Sequence, residues 1–167
     1  TEMREQIRLW FYSMLFMSVT LEGRSPYRTV LTHEKVNDER GQPMHKSTGN
    51  MIWFDEAVEV MGAEVMRWIY AGQNPSSNVN FGYEPGAEVK RKFLTLWNTY
   101  NFFVQYAALD GIDPTQLDRG AERPLMDRWL LSRLQVLVRD VRGALDRYDL
   151  PSVVRATETF FDDLSNW

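Results

Sequence analysis

The chain has 167 residues, 44% of them hydrophobic, so it can bury a sizeable core in one domain or in two small ones. It has no cysteine, which excludes disulfides, thiolate zinc sites and cysteine nucleophiles and leads us to expect a cytoplasmic protein. The formal net charge of -4 gives no bulk attraction to nucleic acid, so any RNA contact must come from local basic patches.

The first predicted element is a helix that contains the most apolar run of the chain, residues 9–17. Apolar side chains cover nearly all of its sides, which predicts a buried helix, and the run falls well short of the ~20 residues of a membrane span. Gly23 suits the left-handed position that ends such a helix. The chain starts without an initiator methionine and stops within a helical period, so we expect it to be a piece of a larger protein.

A small β portion is predicted next. Residues 27–32 are rich in β-forming side chains and should form a strand, and residues 33–36 either continue it or begin another. The polar residues 37–41 then form a turn, and the return toward Met44 completes a hairpin. The edge of this sheet would present the segment that follows, residues 43–50.

Residues 43–50 lack the periodic apolar positions of a helix or a strand and are predicted to form a loop. Lys46 carries a positive charge and three hydrogen-bond donors, and Ser47 and Thr48 carry hydroxyl groups. Gly49 lets a ligand approach the backbone, and together these groups suit phosphate oxygens. Spacing alone favours a solvated surface turn over a phosphate-binding loop, because a lysine and a serine near a glycine are a common combination.

Two short helices and a connector are predicted beyond this loop. Asp55 should cap a helix that runs through Met61, and a second helix should run from Ala63 to about Ala71. The following residues, 72–85, are rich in asparagine, proline and glycine and are predicted to be the connector that contains the domain boundary.

Three long amphipathic helices should complete the chain. They are predicted over residues 87–109, from Pro124 for six to seven turns, and from Val153 onward. Because the loop between the last two is short, these helices should lie antiparallel in a bundle. The predicted fold class is therefore mainly α with a small β portion, divided into residues 1–80 and a helical region over residues 81–167.

Two series of side chains in the helical region have the chemistry to contact RNA. Arginines on the second long helix can follow a phosphate backbone, but aspartates are interleaved, and such a mixture is usually a solvated face. Aromatic residues in the first long helix can stack on bases, although most keep the period of core packing. Phe102 and Tyr106 fall off that stripe and are the better candidates for exposed contacts. His33 and His45 have no acidic neighbour at a metal-ligand spacing, so no metal site is expected.

Residues 43–50 resemble the Lys-Met-Ser-Lys-Ser signature loop of the class I aminoacyl-tRNA synthetases. Other segments resemble that family in the same order, almost from end to end of the chain, and the later ones are most similar to its isoleucine branch. These segments are residues 5–13, 27–33, 62–67, 96–103, 127–134 and 161–167.

The resemblance implies the C-terminal part of a Rossmann-like catalytic domain with its signature loop, followed by the start of a helical anticodon-binding domain. It implies an enzyme that activates an amino acid, isoleucine first, with ATP and Mg²⁺ and transfers it to tRNA. The family's second signature, His-Ile-Gly-His, is absent, so we expect activity only together with the remainder of the synthetase chain. The alternatives are specificity for valine, leucine or methionine, or a non-catalytic helical RNA-binding module.

The resemblance also assigns roles to single residues. By position, Lys46 matches the second lysine of the signature and Ser47 its final serine, so these two are the predicted catalytic residues. A positive charge that meets the pyrophosphate as negative charge accumulates there lowers the barrier to adenylate formation. The remaining predicted contacts are His33, Met44 and His45 with ATP, Glu2 and Gln6 with the adenylate, and Arg128, Arg133 and Trp167 with tRNA.

The chain departs from the family pattern inside and outside the loop. Pro43 stands at the first signature lysine, His45 at the first serine and Thr48 at the leucine that follows, while Leu9 and Glu34 stand where the family has glycine. One lysine fewer predicts weaker stabilisation of the phosphates, unless a protonated His45 supplies part of it.

Overall fold

A computed structural model describes residues 1–113, 115–116 and 122–166. Within these residues helices dominate and four very short strands make up the β portion, which confirms the predicted fold class. The helices are α1 (Trp10–Glu22), α2 (Phe54–Met61), α3 (Ala63–Gly72), α4 (Tyr83–Leu109), α5 (Leu125–Asp146) and α6 (Leu150–Asn166). The strands are β1 (Glu2–Met3), β2 (Thr32–His33), β3 (Val36–Asp38) and β4 (Val79–Phe81).

The strands form two separate parallel pairs. In the first, β1 lies beside β2 with Glu2 opposite Thr32. In the second, β3 lies beside β4 with Val36 opposite Val79. At the end of β3 the Asp38 backbone N–H donates to the Gln42 carbonyl oxygen (2.8 Å) and closes a turn. The predicted hairpin is present only as a single antiparallel bridge between residues 37 and 43.

Two strand predictions were wrong. Of residues 27–32 only the last belongs to a strand, because residues 27–31 lie beside no other strand among the described residues and so form no ladder. The predicted connector, residues 72–85, contains β4, in which Val79 and Phe81 are buried and Asn80 is exposed. Three residues are too few to give a periodic signal in the sequence, so only the pairing with β3 reveals this strand.

The main core lies where α2, α3, β4 and the beginning of α4 meet. Its buried side chains are Ala57, Met61, Val65, Met66, Ile69 and Phe81. Gly62 separates α2 from α3 with φ at 89°, a left-handed value that favours glycine and confirms the predicted break. The predicted cap was wrong, because Trp53 precedes α2 and Asp55 lies in its first turn, where a carboxylate still favours the helix dipole.

Helix α6 packs against α3, α4 and α5 and so joins the helical region to the core. The Glu158 carboxylate accepts the Trp68 indole N–H (3.0 Å) and pairs with the Lys92 ammonium (2.8 Å), which ties α6 to α3 and α4. Between α5 and α6, Arg133 Nε donates to Asp163 Oδ2 (2.7 Å). The antiparallel arrangement of these two helices agrees with the prediction from their short connection.

Two helical stretches that were predicted to be buried are exposed. Helix α1 has no buried residue, and Leu21 near its end is 82% exposed. The distal half of α4 carries its aromatic stripe in the open, together with Phe102 and Tyr106, whose rings contact each other at 4.5 Å between centroids. The helical period predicts which side chains share a face. Burial also needs a second surface, and the described residues leave much of both stretches uncovered. No described helix is long and apolar enough to cross a membrane.

Candidate functional site

The segment of residues 43–50 forms a tight exposed turn, as predicted. Lys46–Thr48 adopt one turn of 3-10 helix, and Gly49 follows with φ at 71°, the left-handed conformation that reverses the chain at no steric cost to glycine. The backbone N–H groups of Thr48 and Gly49 point back to the carbonyl oxygens of His45 and Lys46 at 3.3 and 3.4 Å. These long contacts hold the turn weakly, so its shape depends on side chains.

Asn50 supplies most of that support. Its side-chain oxygen accepts the backbone N–H of His45 (3.0 Å) and the hydroxyl of Thr48 (2.6 Å). Its amide nitrogen donates to Asp38 Oδ2 (2.9 Å) and to the Pro43 carbonyl oxygen (3.1 Å). One side chain therefore fastens the start and the end of the loop to each other and to strand β3. We call these five residues the Asn50 brace.

Asp38 anchors the brace to the sheet. Its Oδ1 atom accepts the backbone N–H groups of Gln42 (2.7 Å) and Arg40 (3.0 Å), while Oδ2 accepts the Asn50 amide. These hydrogen bonds, that from Asn50 foremost, favour the charged carboxylate and hold the pKa of Asp38 below its ordinary value of 3.8. At neutral pH the anchor is therefore charged and accepts hydrogen bonds only.

The two predicted catalytic side chains stand on this turn and face solvent. In the part of the chain that the structure describes, Lys46 forms no ion pair and the Ser47 hydroxyl forms no hydrogen bond. The ammonium nitrogen of the lysine instead lies 4.9 Å from the centroid of the Trp53 ring. The site thus offers an uncompensated positive charge and a free hydroxyl on adjacent residues, which is donor chemistry for an anion.

Of the other predicted contacts with ATP and the adenylate, Met44 and His45 belong to the loop, whereas His33, Glu2 and Gln6 lie outside it. His33 belongs to β2, its Nδ1 lies 2.9 Å from the Glu34 carbonyl oxygen, and it lines an apolar cavity of about 610 Å³. The Asn50 brace instead borders a cavity of about 330 Å³. Glu2 is exposed on β1, one step from His33 in register, and Gln6 is half-buried in the 3-10 turn after it. Their roles stay predictions.

The residues predicted to contact tRNA differ in their exposure and in whether their charge is already paired. Arg128 is exposed on the first turn of α5. Arg133 is half-buried and engaged by Asp163, as described above, so its charge is already compensated. Trp167 lies outside the described residues. In those residues, no group of three or more histidines and carboxylates is placed to hold a metal ion.

Three residues that shape the site carried no role in the sequence interpretation. Asn50 lies twelve positions after Asp38 in the sequence. Trp53 lies seven positions after Lys46, the lysine that it contacts. The polar turn around Asp38 was visible in the sequence. Its pairing with Asn50 was not, because such a contact depends on how the loop folds back on β3.

A model of the family described as tRNA synthetases class I (I, L, M and V) matches residues 1–82. The chain belongs to the class I aminoacyl-tRNA synthetases, as the order of its segments predicted. Within that family it is similar to isoleucine–tRNA ligases along nearly its whole length. The relative in Deinococcus radiodurans is 43% identical over 165 residues, and the one in Thermus thermophilus is 41% identical over 166.

The fold of this region also occurs in a solved structure. The LeuRS of Agrobacterium radiobacter K84, in a ternary complex with tRNA and LeuAMS, superposes with a TM-score of 0.84 over 99% of this chain and 22% of its own, at 16% identity. The two isoleucine–tRNA ligases are likewise matched over 98% of this chain but over only 15% and 16% of their own length. The chain thus corresponds to about one sixth of those relatives.

Proposed function

We propose that this chain is part of an isoleucine–tRNA ligase that activates isoleucine with ATP and Mg²⁺ and transfers it to tRNA in the cytoplasm. Its part in that enzyme is to bring the loop of residues 43–50 to the triphosphate. The observation that carries the proposal is an exposed lysine on a braced turn, without a carboxylate partner among the described residues, at the signature position of the family.

The proposed role follows from where charge develops. When the amino-acid carboxylate attacks the α-phosphorus of ATP, the bond to the bridging oxygen breaks and pyrophosphate leaves with additional negative charge. A preorganised ammonium group stabilises that charge more than it stabilises bound ATP, and so lowers the barrier. Lys46 supplies this charge, and Ser47 donates its hydroxyl hydrogen to a phosphate oxygen. The brace holds both in place before the substrate arrives.

The loop has less positive charge than its family pattern prescribes. Pro43 replaces one lysine, and the carbonyl oxygen of this proline is used by the brace rather than by a ligand. The His45 backbone N–H is likewise bound to Asn50, but its exposed imidazole is free to add a second charge when protonated. We therefore assign the main phosphate contact to Lys46 and a supporting one to His45 and Met44.

The test is substitution of Lys46 in the full-length enzyme. Lys46→Ala should slow isoleucine-dependent pyrophosphate exchange by ~10²-fold or more, the scale of losing one preorganised charge contact. Lys90→Ala, which removes an exposed lysine from α4, is the matched control and should leave the exchange rate unchanged. A Lys46→Ala variant with the exchange rate of the wild type would refute the assignment of the phosphate contact to Lys46.

The amino acid and the tRNA contact are tested separately. In the same exchange assay, a panel of isoleucine, valine, leucine and methionine should show the highest kcat/KM for isoleucine. For the helical region we propose that Arg128 rather than Arg133 contacts tRNA, because the charge of Arg133 is compensated by Asp163. Arg128→Ala should then weaken tRNA binding and reduce its salt dependence, while leaving the exchange reaction intact.

A further inference from the structure

Among the described residues the Lys46 ammonium forms no ion pair or hydrogen bond, and it makes one cation–π contact, with the ring of Trp53. Its nitrogen lies 4.9 Å from the ring centroid, within the distance at which an aromatic face attracts a cation. Trp53 is 51% exposed and Lys46 is exposed as well, so the pair lies at the surface.

The two partners differ in how firmly they are held. Trp53 precedes α2, and its carbonyl oxygen accepts the backbone N–H of Ala57 (3.0 Å), a residue that is 0% exposed in the core. The ring is thereby carried by a helix end that is packed into the molecule. Lys46 has four side-chain torsions on an exposed turn and would sample many rotamers without a restraint. The ring is therefore the fixed partner and the lysine the restrained one.

An aromatic ring restrains a lysine without cancelling its charge. A carboxylate in the same place would form an ion pair that a phosphate must displace. The ring face instead attracts the ammonium through its quadrupole and leaves the full positive charge, and most of its N–H donors, available to an anion. This matters in a loop that has one signature lysine instead of two.

We propose that Trp53 is a positioning residue that preorganises Lys46 for the triphosphate. This inference rests on the proposed function of Lys46. Because the restraint is in place before ATP binds, less side-chain entropy is lost when the ammonium meets the phosphates. The contribution should match a surface cation–π contact, which corresponds to about two- to fivefold in a rate or binding constant.

The test is a double-mutant cycle in the full-length enzyme, with kcat and KM for ATP measured separately in isoleucine-dependent exchange. Trp53→Leu should lower kcat/KM for ATP by about two- to fivefold when Lys46 is present and should have no effect in a Lys46→Ala background. Trp53→Phe keeps a smaller aromatic face and should recover part of the loss. Phe54→Leu, at the exposed first residue of α2 next to Trp53, is the matched control and should have no effect.

Each outcome decides between distinct failures. If Lys46→Ala catalyses pyrophosphate exchange at the wild-type rate, the proposed function of Lys46 is wrong, and so is the inference that depends on it. If Lys46→Ala is slow but Trp53→Leu is unchanged or faster, the proposed function stands and the positioning role is wrong. An equal loss from Trp53→Leu in both backgrounds would show a merely structural role for the ring and would also overturn the inference.

Discussion

The core around α3 and the loop of residues 43–50 are built on opposite principles. The core is held by apolar side chains with almost no exposure, such as Phe81, which stacks on Tyr70 with ring planes 3° apart. The loop buries almost nothing and is held by hydrogen bonds that converge on Asn50. Yet the two are neighbours, because Asp38 of the brace lies opposite Phe81 in the β3–β4 pair.

The difference separates stability from activity. Burial of apolar surface supplies most folding free energy, whereas an exposed hydrogen bond exchanged with water adds little. The same exposed bonds can still fix the position of a charged group, and a small misplacement of such a group is costly in rate. Substitutions in the core should therefore change stability first, and substitutions in the brace should change activity first.

The largest expected effect is in the core. Phe81→Ala removes a side chain that is 3% exposed and should destabilise this region by about 3–5 kcal/mol, since the stacked Tyr70 and the neighbouring helices cannot fully close the cavity. Hydrogen–deuterium exchange of α2 and α3 in the full-length enzyme measures it, as faster exchange of their amides. Val60→Ala is the control, because Val60 is an exposed apolar residue of α2. Equal protection in Phe81→Ala and Val60→Ala would contradict the assignment of the core.

Asn50→Ala should show the opposite pattern. It removes the four hydrogen bonds of the brace, so the turn that carries Lys46 loses its fixed shape. Isoleucine-dependent pyrophosphate exchange should therefore slow by roughly tenfold or more. The protection of α2 and α3 should stay within experimental error of the wild type, because the lost bonds are at the surface. Asn101→Ala, at an exposed position of α4, should change neither property. A loss of core protection in Asn50→Ala would break the distinction between the two regions.

The smallest effect is a pH dependence of the brace. Because hydrogen bonds from Asn50, Gln42 and Arg40 lower the pKa of Asp38 in the folded state, the carboxylate supports the loop fully above its ordinary pKa of 3.8. This support should be lost as the pH falls below 3.8 through the lowered pKa. Exchange protection of residues 42–50, corrected for intrinsic rates, should fall in that range. Asp38→Asn should remove this dependence, and a pH-dependent loss that persists in Asp38→Asn would assign it to another group.

The candidate site was predictable in its chemistry but not in its support. Lys46 and Ser47 could be identified because a polar segment without a packing period attracts a functional interpretation, and because flanking segments resembled one family in order. The brace and the Trp53 contact could not, since neither Asn50 nor Trp53 differs by itself from an ordinary surface residue. Their roles arise only when the turn brings them within hydrogen-bond or cation–π distance.

The sequence by itself determined the elements that depend on neighbours along the chain. The helical period of the apolar residues predicted α2, α3, α5 and α6, and Gly23 and Gly62 predicted where α1 and α2 end. Both signals are local, because periodicity and the backbone freedom of glycine depend on neighbours along the chain.

Only the tertiary structure decided what depends on distant partners. It paired β3 with β4 across about forty residues, left α1 and the distal half of α4 uncovered, and anchored the loop through Asp38. The sequence of a three-residue strand or of an apolar helix face does not predict which element lies beside it, because pairing and burial are properties of two surfaces rather than of one segment.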